Sequence, residues 1–190
     1  MTTSLQAVNT LLAVIGESPV NSIDEGHASA VMAQNTLEEV RSAVGVQGWD
    51  WNTEKRTLTP NSAGNLVVPS GVLRATFNRD ATTDRFTLRG GKVYNLSKGT
   101  AVFTSPMDIE VIVDLAWDDL PEEARRYITI RSSRLFGDRV VGDPAMHGYT
   151  QEEEYQALSA LWKGETSGTY RTIFDNRDMF WATHRNEVGV

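Results

Sequence analysis

The sequence predicts an α+β chain: an α-helical bundle with an inserted small antiparallel β-sheet domain and an extended C-terminal arm. Three observations lead there. Apolar residues recur at helical spacing in 1–50 and again in 119–163. Between them, over 51–118, the chain breaks into Val- and Thr-rich runs punctuated by Gly, Pro, Asn and Asp, the texture of short strands and turns. Beyond, residues 164–190 are rich in aromatics but weakly periodic.

In "SLQAVNTLLAVIG" the residues Leu5, Val8, Leu11, Leu12 and Ile15 line one helical face, with Thr3 or Ser4 placed to cap its start. Gly16 suits a left-handed C-terminal cap and Pro19 blocks continuation. A second helix follows from Ala28 to Val44, with Ala28, Val31, Met32, Leu37, Val40 and Val44 as its expected apolar face. A connection this short predicts a helical hairpin.

In the insertion, "NLVVPSGVLRATF", "DRFTLRGGKVYNL" and "TAVFTSPMDIEVIVDLAW" read as strands of one antiparallel sheet, and Gly90-Gly91 as a hairpin turn. Helix returns at "WDDLPEEARRYITIRSSRLFGDR". Asp118 or Asp119 is the expected cap, Pro121 lies near the first helical position, and Glu122 and Glu123 occupy the positive first turn. Ala124, Tyr127, Ile128 and Leu135 share a face with Arg131. "FGDRVVGDPAMHGY" reads as a loop, and a fourth helix as running from Thr150 to Lys163 with a Thr150–Glu153 capping box.

The totals exclude several classes of function. The 190 residues contain no cysteine, which removes disulfides, thiol nucleophiles and thiolate metal sites and suits synthesis in a reducing cytoplasm. No apolar run approaches the roughly 20 residues of a membrane span, so no membrane partner is expected. The net charge is −7, and it is uneven. Residues 1–50 set one Arg against six acids, whereas 120–150 set five Arg against four. Only the latter approaches the basic stripe of a nucleic-acid binder.

Catalytic constellations are not apparent. His27, His147 and His184 are far apart in sequence and fit no metal-ligand spacing, and no phosphate loop, dinucleotide fingerprint or nucleophile elbow occurs. No cofactor is expected. The pairs Asp118-Asp119 and Glu122-Glu123 and the run Glu152-Glu153-Glu154 raise the alternative of a glycan hydrolase, but adjacency in sequence does not set two carboxyls across a cleft. Helix capping accounts for them more simply.

The arginines of 125–139 allow two readings. Arg125 and Arg126 stand three and four residues after Glu122, as solvated ion pairs on a helix do. Alternatively Arg131, Arg134 and Arg139 project into ion pairs with a neighbouring subunit, where guanidinium is favoured over ammonium. Trp49, Trp51 and Trp117 border the helix–sheet junction and read as packing residues, whereas Tyr170, Phe174, Phe180 and Trp181 lie where no core is evident and read as an interface.

The ordered series "AVNTLLAVIGESPV", "QGWDWN", "GGKVYN", "LPEEARRYITIRSSRLFGDRVVGD" and "QEEEYQA" resembles tail tubular protein A, the head-to-tail adaptor (gatekeeper) family of short-tailed bacteriophages (podoviruses). The resemblance implies a virion protein assembled in the host cytoplasm as a dodecameric ring between the portal protein and the tail nozzle, tail tubular protein B. Such a ring continues the channel for genome ejection and helps to anchor the tail fibre. Double-stranded DNA would pass through it without specific binding, and the alternative of a virion-associated glycan hydrolase stays beside this expectation. By analogy with related connectors, Tyr170, Phe174, Phe180 and Trp181 would enter the portal.

Overall fold

The computed structural model describes residues 1–23, 27–77, 84–142 and 144–168, the side chains of 144–150 and 167–168 excepted. Within these residues the chain is α+β, as the sequence predicts, with a helical bundle and a β-insertion each around its own core.

Helix α1 (Ser4–Val14) begins with a capping box in which Gln6 N donates to Thr3 Oγ1 at 3.1 Å and Thr3 N donates to Gln6 Oε1 at 3.0 Å. It ends as "IGE" demands. Gly16 takes φ +76°, Gly16 N donates to Ala13 O, and Glu17 N closes back onto Leu12 O, both at 3.1 Å. The Asn9 side chain then ties the returning chain down, donating to Val20 O at 3.0 Å and accepting from Val20 N at 2.9 Å.

Helix α2 (Ala28–Gly45) is rotated relative to its predicted face. Ala30, Ala33, Leu37, Val40 and Val44 are buried, whereas Val31 and Met32 are exposed. The stripe that wins begins with two alanines, whose small side chains let α2 approach α1 and α3 closely; its spacing of three and four continues unbroken to Val44.

The insertion forms two sheets where one was expected. β1 (Thr53–Leu58), β5 (Met107–Val113) and β2 (Val72–Phe77) make an antiparallel sheet in the order β1-β5-β2. β3 (Phe86–Arg89) and β4 (Lys92–Asn95) make a separate hairpin. Gly90 and Gly91 have φ +56° and +72°, the double positive pair that a two-residue hairpin turn requires. β1, "TEKRTL", carries no alternating apolar signal because it is a sheet edge and only Leu58 is buried. Leu58, Leu66, Val68, Val93, Ile109 and Val111 are the insertion's own core.

Polar and backbone contacts join the insertion to the bundle. The Arg41 guanidinium on α2 grips the Asp114 carboxylate at 2.6 Å and the Leu115 carbonyl at the end of β5. Asn52 Nδ2 bridges Gly45 O at 2.9 Å and Val113 O at 3.2 Å. Gly48 has φ +83°, and a Cβ there would stand 2.5 Å from Ile112 Cδ1, so the linker lies directly on the sheet.

Helix α3 (Glu122–Val140) starts at Pro121 as its cap; Asp118 and Asp119 form a short 3-10 turn with Trp117 instead of capping it. Helix α4 (Pro144–Gly168) begins before the predicted Thr150 and ends after the predicted Lys163. Most of the expected loop is therefore helical, in the last residues of α3 and the first of α4, and Thr150 sits inside a helix rather than at its cap. Pro144 explains the early start, since proline at the beginning of a helix needs no N–H partner. Buried Ala157 and Leu161 seat α4 against α3. Among the described residues no helix is long and apolar enough to cross a membrane.

Candidate assembly interface

The arginines of α3 give the bundle its polar framework. Arg125 is buried, with 4% of its surface exposed, and its guanidinium is spent on backbone oxygens. Nε donates to Leu120 O at 3.0 Å, Nη2 to Asp118 O at 2.6 Å and Nη1 to Thr2 O at 3.4 Å. Glu122, the expected partner, is 4.0 Å away. Arg125 thus staples the chain entering α3 to the start of α1, a role that the solvated-pair reading missed. Arg126 is on the exposed face as expected.

Arg131 and Arg134 converge on one carboxylate of α4. Arg131 Nη1 donates to Glu154 Oε1 at 2.7 Å and to the Tyr127 hydroxyl at 3.1 Å, while Arg134 Nε donates to Glu154 Oε2. Arg134 also reaches Asp138 at 3.4 Å. Arg139 takes Glu39 of α2 in a two-pronged pair at 2.7 and 2.9 Å. The three arginines offered by the sequence to a neighbouring subunit therefore hold α3 to α4 and to α2 within the chain. Glu154 was concealed in the run Glu152-Glu153-Glu154. Its position three and seven residues before the buried Ala157 and Leu161 fits the inner face, but Glu153, at four and eight, fits nearly as well, and it is the structure that buries Glu154 alone of the three.

The first residues are held by the same helix. Glu122 accepts from Thr2 N at 3.0 Å and from Thr2 Oγ1 at 2.6 Å, and Trp117 Nε1 donates to Thr2 O at 2.9 Å. The Thr2 hydroxyl and amide hold the Glu122 carboxyl below its ordinary pKa. The hydrogen bond from Arg139 does the same for Glu39. A carboxylate whose pKa is lower folded than unfolded stabilises the fold above its unfolded pKa, and that contribution is lost as pH falls through the folded one. The stability of the chain should therefore decline on acidification below the ordinary carboxylate range. In urea titrations from pH 7 to pH 3, the deficit of Glu122→Gln relative to the parent should shrink as the pH falls; a constant deficit would refute the coupling.

The tryptophans extend from the core to the surface. Buried Trp49 stacks on Trp51 at 6.2 Å between ring centroids and meets Trp162 of α4 at 4.9 Å. Trp162 is 53% and Tyr155 68% exposed, so α4 carries an outward aromatic flank that the sequence reading did not single out. The signal was their spacing of seven residues, two turns of one helix. Tyr170, Phe174, Phe180 and Trp181 lie outside the described residues, as do the side chains of His147 and His184. His27 is exposed. Among the described residues no group of His, Asp and Glu is arranged to hold a metal ion.

The geometry is that of a braced scaffold: a bundle clamped by arginine, a β-insertion fixed to one end, and an aromatic flank facing out. A family profile described as "Tube: Tail tubular protein" matches residues 5–170. Tail tubular protein A of Klebsiella phage KP34 is 30% identical over 178 residues, covering 91% of this chain and 94% of that protein.

Proposed function

The chain belongs to the tail tubular protein family, and from that premise we propose that it is the head-to-tail adaptor of a short-tailed phage virion. In this reading copies of the chain assemble as a dodecameric ring between the portal protein and the tail nozzle, tail tubular protein B. The ring continues the ejection channel and helps to anchor the tail fibre. The observation that carries the proposal is the family match, which runs from α1 through the insertion and past the end of α4.

The physical features support it. A chain of net charge −7 repeated around a ring repels phosphate, so double-stranded DNA passes without specific binding. Arg131 and Arg134 brace α4 from within, while Arg139 and Glu39, about half exposed, are accessible to a neighbouring copy. The arm beyond α4, with Tyr170, Phe174, Phe180 and Trp181, enters the portal.

Imaging the chain mixed with purified portal rings tests the proposal. The expected result is a cap of density on one end of the portal, and bare portals would overturn the adaptor role. Deleting 169–190 should preserve the helical circular dichroism yet abolish the cap; an unchanged cap would overturn the role of the arm. The deletion begins after α4 because Glu165 accepts from the Asp50 backbone amide and belongs to the folded part. Turnover of capsule or peptidoglycan, lost on a single Asp or Glu substitution, would favour a hydrolase instead.

A further inference from the structure

Among the described residues the two sheets of the insertion each leave a strand edge unpaired, and both edges line one cleft. Among those residues β2 pairs with β5 alone and β3 with β4 alone. Between them lies an open cleft of about 840 Å³. Residues 74–77 of β2 and 84–88 of β3 and its approach all line it. Consecutive strand residues alternate faces, so walls made of unbroken runs mean that the cleft follows the strand edges rather than either sheet's face.

The hairpin shows which backbone groups of β3 face the cleft. A two-residue turn closes on a hydrogen-bonded pair, here Arg89 with Lys92, and bonded and non-bonded pairs then alternate. Leu96 N donating to Arg85 O at 2.7 Å keeps that alternation. Phe86 and Leu88 therefore direct their N–H and C=O away from β4, into the cleft.

The side chains of the two walls are sorted by chemistry. Phe77 and Phe86 meet across the cleft at 5.7 Å between centroids and make an apolar floor continuous with the insertion's core. On the alternate positions, exposed to solvent, stand Arg74 and Arg85. Arg74 donates to Gln47 O at 3.2 Å, and neither arginine has a carboxylate partner among the described residues. Asp84, the acid of the lining, is committed to Lys98 at 2.8 Å and to Asn95 at 2.9 Å.

We propose that this cleft is a strand-addition site for a partner protein: it takes an extended peptide segment that pairs with the free edges of β2 and β3 and alternates apolar residues with carboxylates. The apolar residues rest on Phe77 and Phe86, and the carboxylates meet Arg74 and Arg85. Backbone pairing supplies affinity, and the two alternating rows supply specificity. Charge complementarity decides for an acidic segment over a basic one. The inference rests on the cleft alone and is independent of the chain's place in the tail.

A random peptide library selected on the full-length protein, followed by synthesis of the enriched sequences, tests it. The expected peptides alternate Asp or Glu with Val, Ile or Phe. Their binding falls at least tenfold in Arg74→Glu/Arg85→Glu, whose sites are exposed, and is largely kept in Arg74→Lys/Arg85→Lys. N-methylation of every second peptide amide abolishes binding, and bound peptide slows hydrogen exchange at Phe86 and Leu88. Enriched peptides without alternating carboxylates, or binding that survives the charge reversal or the N-methylation, would overturn the proposal. Binding at least tenfold tighter to a chain lacking 169–190 would also overturn it, by showing that the chain's own end occupies the cleft.

Discussion

Replacing Glu154 by alanine should lower the unfolding free energy of the isolated chain by about 3 kcal/mol, read as a lower urea midpoint. The carboxylate is largely buried and divided between Arg131 and Arg134, so its removal leaves two partly buried guanidinium groups without their shared counter-charge. Asp138, at 3.4 Å from Arg134, recovers only part of the loss. Glu154→Gln keeps the shape and one acceptor and should cost about half as much. An unmoved urea midpoint, with a defect confined to oligomer assembly, would show that the two arginines serve a neighbouring subunit instead. Since a domain of this size is stable by only about 5–15 kcal/mol, a change of this magnitude is well within measurement.

Arg125→Met should be comparably damaging, at about 3 kcal/mol. Methionine fills the volume but strands the carbonyls of Leu120 and Asp118, both of which the guanidinium satisfies, and releases its contact with Thr2. Lysine would not rescue it, because one ammonium on a flexible stem does not span carbonyls on both sides of the helix entrance. Thermal unfolding followed by circular dichroism checks both variants, and a midpoint for Arg125→Lys within error of the parent would refute the argument from fork geometry.

The parts legible in the sequence are those set by local chemistry. Thr3, Gln6 and Gly16 bound α1 through contacts spanning a few residues, and Gly90-Gly91 set the hairpin by backbone preference alone. Elements decided by distant partners were less legible. Val31 and Met32 fit a helical stripe as well as Ala30 and Ala33 do; only the approach of α1 and α3 selects the alanines. β1 is a strand because β5 lies beside it, not because "TEKRTL" prefers to be one. The same holds for the ion pairs of the bundle. The arginines of α3 stood out by composition, but their acids, Glu39 and Glu154, lie on other helices. The cleft between β2 and β3 depends on the sheet dividing in two, and the alternation in both strands is equally compatible with one continuous sheet.

The pinning of Thr2 against Glu122 and Arg125 has a consequence for the order in which the newborn chain takes shape. The bundle core needs α1 and α2 from one side of the insertion and α3 and α4 from the other. At about 5–20 residues per second, a ribosome takes on the order of 5 to 20 seconds to traverse the stretch between α2 and the end of α3. Throughout that interval Leu11 and Leu12 have only α2 to cover them, while the contiguous insertion can close its own core as soon as β5 emerges. Helices α1 and α2 are made before the insertion yet sealed after it, and the bundle becomes a bundle only once α3 and α4 have followed.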